Sequence, residues 1–238
     1  VFDGITTLDV ALGGGDDSFR VTGVSVDSTI RGNGGSDLFQ IGDSTEGSNL
    51  SAVGAALHLV GGAGGDGLLV MASTATALTF DRSSPTLGTL AVGGAAGVID
   101  FAQIDGVVVA LGDADDSVTV NATVTGLTLA MGGGNDAVTL AGAAHAIDVG
   151  LQGGDDTLTV KDGVSTVSVD GGTGAADALV FDLSSTTAVF TGQIRGDGTS
   201  GIVSDTTGRT LSFDHLDRVD LRLGSNNDVV TVDSALAA

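Results

Sequence analysis

Aspartate is the residue whose type and spacing could do chemistry in this chain. Eight short segments end in Asp followed by alternating apolar residues: GGGDDSFRV ending at Val21, GNGGSDLFQI at Ile41, GGAGGDGLLV at Val70, GDADDSVTV at Val120, GGGNDAVTL at Leu140, QGGDDTLTV at Val160, GTGAADALVF at Phe181 and GSNNDVVTV at Val232. Their carboxylates are Asp17, Asp37, Asp66, Asp116, Asp136, Asp156, Asp177 and Asp228, and a step of 20 residues recurs among them. If each step is one rung of a coiled chain, equivalent carboxylates sit at the inter-strand spacing of roughly 4.8 Å. Like charges so placed repel by about 1 kcal/mol in water and about 3.5 kcal/mol at an effective dielectric of 20. Three arrangements offset that: splaying into solvent, hydrogen bonds from backbone N–H groups of the turn in an Asx-type cap, or a cation shared between rungs. Asp16, Asp113, Asp115 and Asp155 add acid to the same turns. A hard ion such as Ca²⁺ takes six to eight oxygens, which carboxylates and turn carbonyls of two rungs could supply.

The elements that must position these carboxylates follow from what surrounds them. The turn reverses the chain in few residues, which needs the positive φ or close backbone approach that glycine accepts cheaply. After each Asp comes an alternating strand, with Val118 and Val120 inward and Thr119 outward, and about ten residues later a second one with Leu127 and Leu129 around Thr128. Two strands per rung is the simplest reading. Above the short period lies a longer one. Phe2, Phe101 and Phe213 head stretches that align without a gap, pairing Leu8 with Val107 and Val219, then Val10 with Val109 and Leu221. The larger unit is thus 99 residues from Phe2 to Phe101 and 112 from Phe101 to Phe213. It divides the chain into a first unit over 1–100, a second over 101–212 and the start of a third over 213–238. Residues 71–100 and 182–212 hold matching places, carry Pro85, Phe80 and Phe190, and lack the turn; they are expected to be longer β excursions between stacks of regular rungs, of the kind that usually map to loops or hairpins on one side. The fold class is therefore all-β: an elongated parallel β-solenoid, β-roll or β-helix-like, with rungs of about 20 residues and two longer β insertions.

Composition excludes several functions. The 238 residues include 40 Gly, no Cys, no Trp and no Tyr, and carry a formal net charge of -22. Such charge repels phosphate backbones and anionic membranes, so nucleic acid is not an expected partner. No run approaches the ~18 apolar residues of a membrane helix, and membrane insertion is not expected. Without Cys there is neither a disulfide framework nor a thiolate metal site. A chain that opens on Val1 without a leader is expected to be a stretch of something longer.

The segment Gly61-Gly62-Ala63-Gly64-Gly65-Asp66-Gly67-Leu68-Leu69 resembles the nine-residue G-G-x-G-x-D-x-U-x pattern of the repeats-in-toxin (hemolysin-type calcium-binding) family, and the segments ending at Phe39 and Phe19 are close to it. The resemblance implies Ca²⁺ as a cofactor, held between rungs of a parallel β-roll by turn carboxylates, here the eight anchor aspartates, and glycine carbonyls. The motif comes once per 20 residues and not in tandem, and Ala114 and Asn226 replace its fourth-position Gly. The Phe-x-x-Ile module feeding LG-x-x-x-D-x-V-x-V is also similar to degenerate β-strand repeats of very large secreted bacterial proteins, adhesins among them.

Other constellations carry less. His58, His145 and His215 share no spacing, and Ser200 in GTSG lacks the strand-turn-helix setting of a nucleophile elbow. Every Gly-rich turn leads into a strand, which removes dinucleotide and P-loop readings. Thr119, Thr139 and Thr159 form an outward column suggestive of ice binding, but Arg20, Gln40, Leu69 and Val180 interrupt that position elsewhere and Thr is a common strand residue. Solenoid polysaccharide lyases and epimerases use basic residues and aromatic stacking at acidic sugars. Lys161, Arg195, Arg209, Arg218 and Arg222 could serve, yet no Trp or Tyr accompanies them. The reading is a non-enzymatic structural or adhesive repeat segment of a large extracellular or cell-surface bacterial protein, a stalk, filament or surface layer. Its expected partners are neighbouring repeats or further copies of itself, and a host or matrix surface. The alternative is an auxiliary solenoid module of a secreted enzyme.

Overall fold

The computed structural model describes every residue except 1–3, 46–48, 85, 124, 143–144, 198–199 and 234–238. Phe2 and Pro85 therefore lie outside the described residues. Strands alternate between two sheets as the alternating apolar pattern requires. The first three rungs are β1 (Thr7–Gly13) with β2 (Ser18–Val21), β3 (Asp27–Gly34) with β4 (Leu38–Gly42), and β5 (Leu57–Ala63) with β6 (Gly67–Met71). The odd strands stack in one sheet and the even ones in the other, all parallel and in register. A second regular stack begins with β10 (Gly106–Ala110) and continues through β11 (Ser117–Val120), β12 (Gly126–Ala130), β13 (Ala137–Leu140), β14 (Ile147–Gly150), β15 (Thr157–Lys161), β16 (Thr166–Asp170) and β17 (Ala178–Asp182). Among the described residues there is no helix.

Inward positions of both sheets meet in one continuous core. In β11 and β12, Val118, Val120, Leu127 and Leu129 are buried while Thr119 and Thr128 point away. Each such Val or Leu contributes about 1.5–3 kcal/mol relative to exposure. The outward register places Thr119, Thr139 and Thr159 in one column, as their spacing predicts, and Thr79 extends it.

The two stretches without the turn do not lie to one side. The first forms an antiparallel meander, β7 (Ala77–Ser84), β8 (Leu87–Val92) and β9 (Val98–Ala102), that stays within the first sheet in the order β5-β9-β8-β7-β11. The later stretch forms β18 (Thr191–Gly196), β19 (Gly201–Asp205) and β20 (Thr210–Asp214) and stays within the second sheet between β16 and β22 (Val229–Asp233). The reason is burial. Leu78, Phe80, Leu90, Val92, Ile99 and Phe101 in one meander, and Ile194, Val203, Leu211 and Phe213 in the other, give every added strand a core-facing side. Each meander also repeats one packing device. Phe101 stands opposite Gly88, and Phe213 opposite Gly201, on the neighbouring antiparallel strand. The ring fills the space that a side chain on that glycine would need. Two of the aligned phenylalanines of the longer period, Phe101 and Phe213, are thus lids over glycines.

Strand parity has an architectural effect. The first unit contributes β1–β9 and the second β10–β20, both odd numbers, so each new unit opens in the opposite sheet. The equivalent strands β1, β10 and β21 (Arg218–Arg222) lie in the first, second and first sheets. Because the first meander widens one sheet and the second widens the other, both sheets have 11 strands among the described residues.

Candidate functional site

The turn before each anchor Asp is a stacked object. Positive φ falls four and two residues ahead of the anchor in several copies: Asn33 and Gly35, Gly62 and Gly64, Gly132 and Gly134, Gln152 and Gly154. At the second of these places the chain lies directly on the carbonyl of the turn below, so that a methyl on Gly154 would overlap the oxygen of Gly134.

Stacking brings the anchor carboxylates into ladders through backbone hydrogen bonds. Each anchor after Asp17 accepts the N–H of the residue at the equivalent place in a neighbouring turn, not of its own turn as a local Asx cap would. Asp37 accepts from Asp17 at 2.9 Å and Asp66 from Asp37 at 2.8 Å. On the second stack Asp116 accepts from Thr76 at 2.6 Å, Asp136 from Asp116 at 2.7 Å, Asp156 from Asp136 at 2.7 Å and Asp177 from Asp156 at 2.9 Å. Two further carboxylates close the ladders and lack the Gly-rich approach that marks the others in sequence: Asp105 accepts from Asp66, and Asp217 from Asp177, each at 2.8 Å. Asp228 stands apart from both ladders and accepts from Phe190 at 2.7 Å.

The residue before the anchor reaches the other way along the stack. Asp16 accepts from Ser36, Asp115 from Asn135, Asn135 from Asp155 and Asp155 from Ala175. Adjacent acids in one turn thus engage opposite neighbours, which accounts for the Asp-Asp pairs without any ligand.

Parity sets where the ladders stand. Asp17, Asp37, Asp66 and Asp105 lead into strands of the second sheet, whereas Asp116, Asp136, Asp156, Asp177 and Asp217 lead into strands of the first. The two ladders therefore occupy opposite edges of the solenoid. Asp228, before β22, begins again on the first edge.

One oxygen of each anchor after Asp17 is spent on an N–H; on five of them the other is the chemical opening. The Oδ2 atoms of Asp37, Asp66, Asp116, Asp136 and Asp156 are buried without a hydrogen-bond partner. A buried carboxylate oxygen left so holds a proton, meets a cation or carries a desolvation cost. Burial pushes Asp116 up to about 6, against the Thr76 N–H, with Asp115 adding to the rise. Burial likewise pushes Asp136 up to about 7, against the Asp116 N–H, with Asp156, Asp116 and Asp115 adding. Asp156 is raised by burial too, opposed by the Asp136 N–H and helped by Asp177 and Asp155. As to metal, among the described residues no three His, Cys, Asp or Glu side chains converge as a ligand cluster. The donor set fits a hard cation in kind, being oxygen only with one unpartnered oxygen on several turns; the remainder of a six-to-eight-oxygen shell would have to come from carbonyls and water.

The histidines fall on separate rungs. His58 pairs with Asp100 at 3.2 Å, His145 lies 3.4 Å from the Thr123 hydroxyl, and His215 meets Asp170 at 2.9 Å. The Asp170 hydrogen bond, then the charge of Asp214, raises the His215 pKa. Ser200 donates to Asp197 at 2.9 Å in the β18–β19 turn. Arg209 is held between Asp162 and Asp205 at 2.9 and 3.0 Å and lies over the Phe181 ring. Arg195 pairs with Asp233, and Arg218 and Arg222 with Asp220. The chain matches no protein-family model and no curated protein.

Proposed function

We propose that this chain is a non-enzymatic structural or adhesive segment of a large extracellular or cell-surface bacterial protein, serving as stalk, filament or surface layer. The observation that supports this reading is strand parity. Two units return the chain to its starting pair of sheets, so units can follow one another without a change of cross-section. Neighbouring units of the same chain, or further copies of it, are then the natural partners at either end, and a host or matrix surface is the adhesive target. Electron microscopy of the native assembly tests the proposal. Thin unbranched rods, fibres or a lattice are expected. A compact catalytic body carrying one short rod would overturn it in favour of an auxiliary module of a secreted enzyme.

Calcium belongs to the same proposal. The unpartnered anchor oxygens, with turn carbonyls beside them, would hold Ca²⁺ between adjacent turns at neutral pH and relieve the repulsion along each ladder. An ion that binds only the folded state stabilises by mass action, about 2.7 kcal/mol at one hundred times its dissociation constant. Melting is expected to fall in chelator, to recover with Ca²⁺, and to recover less with Mg²⁺, whose octahedral demand is stricter. Equal melting temperatures in Ca²⁺ and chelator at matched ionic strength would leave hydrogen bonds and protons as the whole account of the ladders.

A further inference from the structure

Three glycines stand in register on the outer face of the second sheet: Gly67 in β6, Gly106 in β10 and Gly126 in β12. None has positive φ. A side chain on Gly106 would meet nothing within 4 Å, and one on Gly67 or Gly126 would make only ordinary contact at 3.5 or 4.0 Å. The place itself accepts side chains, because Ser18, Leu38, Ser117, Ala137 and Thr157 occupy the same position after other anchors. Glycine weakens a strand, and in a strand interior it marks a bulge, a bend or the close approach of a ligand or another backbone. Neither fold nor packing within the chain calls for these three.

The lack of side chains at Gly67 and Gly106 opens a groove of about 530 Å³ across β6 and β10. Leu38 and Val108, 41% and 42% exposed, and the half-buried Leu69 form its apolar walls. The exposed Asp105 stands at its rim, the neighbouring Asp66 is buried, and no basic residue is among its described lining.

We infer that this glycine-floored groove is a docking site for a partner peptide segment that sets an apolar side chain on Gly67 and Gly106 and a Lys or Arg against Asp105. Charge chooses this occupant, since the rim is acidic and the chain as a whole carries -22. The inference does not depend on the structural role proposed above, because the groove lies on a sheet face and the rungs stack through their edges.

The test uses two synthetic peptides of equal charge, alternating Leu-Arg and alternating Ser-Arg, titrated into the isotope-labelled protein at physiological salt. The Leu-Arg peptide is expected to bind about tenfold more tightly, the worth of one buried apolar side chain, and to shift the amides of Gly67 and Gly106. Gly106→Val should abolish that preference while leaving the melting temperature equal or higher, because a β-branched residue suits a strand. Val108→Ser, which removes a wall without filling the floor, should weaken binding of the Leu-Arg peptide alone. Equal affinity of the two peptides, shifts that map elsewhere, or a lower melting temperature in Gly106→Val would each overturn the inference. So would a change in the protein's own association state on Gly106→Val without peptide, which would assign the groove to a second copy of the chain.

Discussion

Gly154→Ala should be among the most damaging single-methyl changes in this chain, costing about 3 kcal/mol or more. Two effects combine. The residue holds φ at +124°, where an L side chain is strained, and the new methyl would overlap a backbone oxygen of the turn below, which cannot turn aside as a flexible side chain could. At this chain length each 1 kcal/mol corresponds to roughly 2–4 °C, so the melting temperature should fall by about 6–12 °C. Gly94→Ala separates the contributions, since Gly94 also has positive φ but nothing within 4 Å of the added methyl. Its cost should be the conformational part alone, about 1–2 kcal/mol. Circular dichroism melts of the two variants read the order directly. A Gly154→Ala protein that melts within a degree of the parent would show that the turns do not stack as described.

The middle of the second ladder should respond to one substitution in opposite directions according to what replaces Asp136. Asp136→Ala strips the buried Asp116 N–H of its acceptor and should cost about 1–3 kcal/mol. Asp136→Asn keeps that acceptor and removes the charge, so at pH 8 it should be as stable as the parent or more so. Acidity reports the same chemistry. Asp116 and Asp136 are raised in the folded protein to about 6 and about 7, above the ordinary carboxylate value, so the folded state binds more protons than the unfolded one. Their contribution is fully present below about pH 4 and is lost as pH rises through about 6 to 7. In chelator, melting temperature should therefore climb as pH drops from 8 to 5. Asp182 and Asp205, which are lowered, lose stability only below that window and do not mask the trend. His215 is raised and acts in the same direction, so the experiment is run in a His215→Asn background. Asp136→Asn should flatten the profile. A rise in stability with pH between 5 and 8 would contradict the buried, unpartnered state of these oxygens.

Much of this architecture was legible because its cause is periodic. A step of 20 residues with alternating apolar positions requires two strands per rung, and the buried Val118, Val120, Leu127 and Leu129 sit where that pattern puts them. The anchors were legible for the same reason, but their partners were not: a carboxylate after a tight turn suits a local cap, and only the stacked backbone shows that Asp136 serves the turn before it. Asp105 and Asp217 escaped notice because a ladder end needs just an acceptor, without the glycines that announce the other copies. The meanders were legible as β excursions between the regular stacks, but their place inside the sheets, and not as loops or hairpins to one side, was not, because they lack the turn motif. Their signal was Gly88 with Phe101 and Gly201 with Phe213, a pairing visible only once antiparallel neighbours are known. Ladder sidedness required counting strands per unit, which a residue period does not do.

The meanders also decide how such a rod would come apart under tension. A plain rung at a free end can peel away strand by strand, each departing as an edge. Pulled from the amino end, the chain reaches β7 while that strand is still clamped between β8 and β11. Pulled from the carboxyl end, it reaches β9 clamped between β5 and β8. From neither direction is the next strand an edge, so the three must yield together. A load along the rod thus meets soft stretches punctuated by locks, one in each unit.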